Sequence, residues 1–124
     1  LTNPSDRHFF YTFPIYKNKT AVKNLNFQFK ELNEILVEEN FNFTVVILPY
    51  EFQSRKQNCN EYYLMPQYEV KKILNNMNIN FLDYSKIFCN HYNPKKLFLK
   101  YDPVHLSEEG HNLVFLNLKK DLNF

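Results

Sequence analysis

The chain has 124 residues, 44% of them hydrophobic and 18% aromatic, and a formal net charge of +2. That composition suits one packed domain, or a piece of one, and excludes a disordered chain. A charge this small, with no Lys/Arg run longer than two residues, points to no nucleic-acid partner, and no apolar run is long enough for a membrane-spanning helix. The single glycine beside abundant Asn, Lys, Phe and Tyr reads as compositional bias rather than function.

Residues 1–19 contain Pro4 and Pro14, scattered aromatics and no steady period, which predicts an irregular loop. From Thr20 as cap, a helix is expected to run to about Glu39, because Val22, Leu25, Phe29, Leu32 and Leu36 recur at three- and four-residue steps. The stretch "FTVVILP", residues 43–49, is continuously apolar, β-branched and stopped by proline. Such a run reads as a strand covered on both faces, as in a parallel sheet. Polar residues then make a long loop over 50–63. A helix is expected from Pro66 to about Asn76, a second strand at "INFLDYS", residues 79–85, and a short helix over 86–90. The closing helix is expected from Glu108 to about Lys120, after the segment "LFLKYDPVHL".

Helices alternating with apolar strands imply an α/β fold with a parallel sheet, residues 20–124 forming its core. Two strands are too few for a parallel sheet with covered faces. With the opening Leu1 in place of Met, this leads to the expectation that further strands precede the segment. Cys59 and Cys89 could close one disulfide in an oxidising compartment, but free thiols are the default reading. They suggest no metal site with His8 and His91, since no pair has a zinc-motif spacing. The sequons at Asn18 and Asn42 do not decide the compartment.

The densest chemistry lies in "KYDPVHLSEEGHNLVFLNL", residues 100–118. A serine hydrolase needs an imidazole to take the nucleophile's proton and an acid to hold that imidazole in one tautomer. Asp102, three residues before His105 across Pro103, can reach one ring nitrogen locally and leave the other for substrate. Ser107 is a candidate helix cap, followed by Glu108 and Glu109, which favour a first turn. Gly110 would let that turn approach neighbouring backbone. The spacing by itself is equally that of an exposed turn with a structural histidine. Arg55, just beyond the first strand, is either a solvated loop residue or a substrate-rim contact for an anionic group.

The block "DPVHLSEEGHNLVFLNL" resembles the last block of the SGNH (GDSL-type) hydrolase superfamily, in which an Asp-x-x-His turn precedes a glycine-containing closing helix. The order of elements over residues 20–122 is similar to that family's second half. The resemblance implies a three-layer, flavodoxin-like sandwich, with this segment as its C-terminal part. It implies Asp102 as the orienting acid and His105 as the general base. It makes Asn3, in "LTNPSD", the candidate oxyanion-hole donor, although the usual Gly-x-Asn-Asp pattern is missing. None of Ser5, Ser54, Ser85 and Ser107 has the glycine neighbours of the family's nucleophile.

The resulting expectation is an ester- or acyl-group hydrolase whose nucleophile block is missing from the segment, acting on a small-molecule, glycan or lipid ester without a cofactor. Alternatives are O-acyl transfer onto a cell-surface polysaccharide and a non-catalytic binding domain of the same fold. A location in the cell envelope or outside the cell is favoured. Oligomeric state and substrate are not legible, because no motif encodes the pocket that selects them.

Overall fold

The computed structural model describes residues 3–123. In chain order they form α1 (Pro4–Thr12), a 3-10 helix (Phe13–Lys17), α2 (Lys19–Glu38), β1 (Thr44–Ile47) and α3 (Glu51–Ser54). Then follow α4 (Met65–Asn76), β2 (Asn80–Asp83), α5 (Ser85–Cys89), a second 3-10 helix (Pro94–Leu97) and α6 (Glu108–Asp121).

The two strands pair in parallel with Val45 opposite Phe81 and Val46 opposite Leu82, as the apolar runs predicted. Successive residues of a strand face opposite sides, so each strand feeds two cores. Val46 and Leu82 pack with Tyr84, Phe88, Leu97 and Phe98 under the α6 residues Leu113, Val114 and Leu118. Val45, Ile47 and Phe81 pack instead with Leu74 and Val70 of α4 and Phe29 of α2. Helices therefore cover both faces of a sheet that has two strands among the described residues, contrary to the expectation that two are too few, and the architecture is a three-layer α/β sandwich.

Residues 1–19 were expected to be an irregular loop, and residues 4–17 are instead helical. Asn3 caps α1 by accepting from the Ser5 N–H at 3.0 Å, and Pro4 occupies the first turn, where its missing N–H costs nothing. Pro14 occupies the corresponding position of the 3-10 helix. No helical period was visible because α1 docks chiefly through one aromatic stack. The Phe9 ring lies 4.5 Å from Phe52 and 5.0 Å from Phe13, in a third core with Tyr50, Tyr63 and Met65. The cap of α2 is Asn18 rather than Thr20, its side chain accepting from the Thr20 and Ala21 N–H groups.

The loop expected at 50–63 holds α3 and is internally tied. Cys59 and Cys89 form a disulfide, which corrects the free-thiol reading. Folding places their Cα atoms 6.0 Å apart, in the usual range for a bridge. Gln53 and Gln67, both buried, form a reciprocal amide pair with two 2.8 Å hydrogen bonds. Gln53 also accepts from the Tyr50 N–H and donates to the Tyr63 carbonyl, so its polar atoms are satisfied.

Candidate active site

The segment between the second 3-10 helix and α6 is a closed loop. Phe98 and Leu106 form an antiparallel bridge at its base, and the Leu99 N–H donates to the His105 carbonyl at 3.0 Å. At its tip the Asp102 N–H donates back to the Leu99 carbonyl, with Tyr101 at φ 65°, a left-handed conformation that a large side chain rarely adopts. This reversal brings Asp102 round to face the residues that follow it.

The Asp102 carboxylate organises the tip. Its Oδ1 accepts from the Val104 N–H at 2.9 Å and the His105 N–H at 2.8 Å, and its Oδ2 lies 2.8 Å from His105 Nδ1. The His105 N–H, then the Val104 N–H and the imidazole, hold the Asp102 pKa down at about 2. An ionised Asp102 can only accept, so Nδ1 carries the proton of neutral His105 and Nε2 presents a lone pair. The His105 side chain is 72% exposed, which leaves that lone pair to solvent or a ligand.

The turn is fastened to its surroundings at both ends. The Glu51 N–H donates to the Pro103 carbonyl at 2.9 Å, which places the turn beside the segment that leaves the C-terminal end of β1. Val104 joins Leu48, Pro49, Tyr50, Tyr16 and Gln67 in lining a cavity of about 340 Å³ along β1. Downstream, Ser107 caps α6 by accepting from the Gly110 N–H at 3.1 Å, while its hydroxyl donates to the Lys96 carbonyl. A Cβ on Gly110 would collide with the Leu97 carbonyl oxygen, so the first turn of α6 rests directly on the second 3-10 helix. That close approach accounts for the chain's only glycine.

The other candidates fare differently. Asn3 is exposed and holds the start of α1 through its Oδ1, and its Nδ2 makes no hydrogen bond among the described residues. Arg55 is not a free rim cation. Its guanidinium bonds both Glu51 oxygens at 3.0 and 2.6 Å, approaches Asp6 Oδ1 at 2.7 Å, and its side chain is 11% exposed. Its pKa is raised first by Glu51, against burial, and further by Asp6. Arg55 is thus a clamp between α1 and α3 rather than the solvated loop residue or the substrate-rim contact left open by the sequence, because two carboxylates already neutralise its charge.

All four serines are accounted for. Ser5, Ser54 and Ser85 are buried, and Ser107 is held in the α6 cap. His91 lies 3.4 Å from Glu109, and no group of three metal-ligating side chains occurs among the described residues.

Sequence reasoning missed the Glu51–Arg55 ion pair and the Gln53–Gln67 amide pair. The four-residue step from Glu51 to Arg55 was a visible signal for the first. The glutamines left none, since their partners meet only through the fold.

A family model described as GDSL-like Lipase/Acylhydrolase matches residues 1–118. No curated protein and no solved structure matches the chain.

Proposed function

Because the chain belongs to the GDSL-like lipase/acylhydrolase family, within a hydrolase superfamily, we propose that it supplies the acid–base half of a serine ester hydrolase. The observation that carries this reading is the 2.8 Å contact between Asp102 Oδ2 and the exposed His105 imidazole. In this reading Asp102 holds Nδ1–H, His105 Nε2 takes the proton of a serine hydroxyl as it attacks the ester carbonyl, and His105⁺ then protonates the leaving alkoxide. Asn3 Nδ2 would donate to the oxyanion, with its Oδ1 fixed in the helix cap. In this reading the nucleophile comes from outside these 124 residues, which is supported by each serine present being buried or engaged.

The same serine arrangement supports one rival, a non-catalytic binding domain that keeps the fold. Transfer of an acyl group to a polysaccharide hydroxyl would use the same Asp102–His105 pair, with sugar in place of water. Hydrolysis of p-nitrophenyl acetate tests the choice. Residues 1–124 alone should give no turnover above background. The natural polypeptide that carries them together with a glycine-flanked serine should turn over, and lose about a hundredfold or more in His105→Ala. Unchanged turnover in His105→Ala would refute the base assignment. A natural polypeptide with no such serine and no turnover would favour the binding domain.

A further inference from the structure

A cavity of about 550 Å³ opens between the start of α2 and the length of α4. Its walls carry Lys17, Lys19, Lys23 and Lys72, and a single carboxylate, Glu69. The cleft therefore concentrates more positive charge than the whole chain's net +2. Concave sites walled by one sign of charge focus the field and attract the opposite sign.

Like most lysines of the chain, the cleft lysines are left without a carboxylate partner among the described residues. Lys30 lies against Glu34, Lys71 against Asp83 and Arg55 against Glu51. Lys19, Lys23 and Lys72 form no salt bridge among the described residues, although Glu69 shares their cleft. Lys17 is held in place over the Phe13 and Tyr62 rings at 5.1 and 5.0 Å.

The floor is apolar. Val22 and Met65 are half-buried, Ile73 is buried, and Tyr16 also lines the cavity, its pKa pushed up to about 12 by burial and then by Tyr50. The helix end itself is not the attraction, because Asn18 already occupies the Thr20 and Ala21 N–H groups. An inorganic anion would use the lysine rim and leave the floor wet. A neutral hydrocarbon would use the floor and leave the ammonium groups without a counter-charge.

We propose that this cleft binds an anionic amphiphile: one alkyl chain on Val22, Met65 and Ile73, with a phosphate or carboxylate head among Lys19, Lys23 and Lys72. The site is separate from the Asp102–His105 pair and does not depend on the role assigned to that pair.

The test is an amide NMR titration of the 124-residue chain with dodecyl phosphate below its micelle concentration. Saturable shifts are expected at residues 17–26 and 65–76. Affinity should fall at least tenfold in the Lys19→Glu/Lys23→Glu/Lys72→Glu variant and several-fold in the milder Lys72→Gln. A Lys95→Glu/Lys96→Glu/Lys119→Glu control, with the same charge change elsewhere, should bind as the parent does. Dodecyl maltoside and inorganic phosphate should each bind at least tenfold more weakly than dodecyl phosphate. Absence of saturable binding, shifts centred on residues 102–105, equal binding of either partial probe, or an equal loss in the control would overturn the proposal.

Discussion

The carbonyl oxygen of Leu97 occupies the space into which a Cβ on Gly110 would project. Gly110→Ala is therefore a contest between two effects. Alanine gains about 1 kcal/mol of helix propensity over glycine. It also forces backbone apart at a contact where neither side is a flexible side chain, and overpacking of that kind costs about 1–3 kcal/mol or more. The clash should win. Urea unfolding should show a net loss of about 1–2 kcal/mol, and a stabilised variant would mean that α6 does not rest on the 3-10 helix as described.

The Gln53–Gln67 pair should behave as a unit. Removing one amide leaves the other buried with unmet hydrogen bonds, so Gln53→Leu and Gln67→Leu are each expected to cost about 1–3 kcal/mol. The double variant should cost less than the sum of the singles, because the pair's mutual bonds disappear together. Strict additivity in a double-mutant cycle would show that the two amides do not interact.

The disulfide joins positions 30 residues apart. On the chain-entropy account, closing a loop of that size stabilises the fold by about 3–4 kcal/mol. Cys59→Ser/Cys89→Ser should lower the urea midpoint accordingly. Added reductant should shift the parent protein in the same direction and leave the double variant unchanged.

Asp102 makes a prediction with a definite sign. Its folded pKa of about 2 lies below the ordinary aspartate value of about 3.9. The unfolded state therefore binds the proton more readily as pH falls. The contribution of Asp102 to the turn is fully present above about pH 4 and is lost as pH drops toward 2. The Val104 and His105 amide resonances should keep their positions at pH 4 and collapse to loop values near pH 2. A midpoint close to 4 would mean that the carboxylate does not accept from those N–H groups.

What could be read from sequence divides by the range of the interaction. Residues 43–49 announced β1 because a strand covered on both faces must be apolar throughout, and that requirement is local. The Asp102–His105 contact was legible for the same reason, as acid, proline and imidazole lie within one turn. The α1 helix was not, because Phe9 and Phe13 acquire meaning only when Phe52 is stacked beside them. The place of Arg55 was left open between a solvated loop and a substrate rim because its partner Asp6 lies far back in the chain. The disulfide was undecided at first because spacing does not tell where α5 will place Cys89.

The position of that disulfide also bears on how quickly the sheet can assemble. Parallel β1 and β2 can meet only after the chain from Ile47 to Asn80 has looped through α3 and α4. The bridge from Cys59 to Cys89 offers a second path, from Ile47 forward to Cys59 and from Cys89 back to Asn80. That path is about two-thirds as long, so less closure entropy precedes strand pairing. An oxidised chain diluted from urea should therefore refold faster than its reduced counterpart, with the crosslink acting on the speed of topology as well as on its final stability.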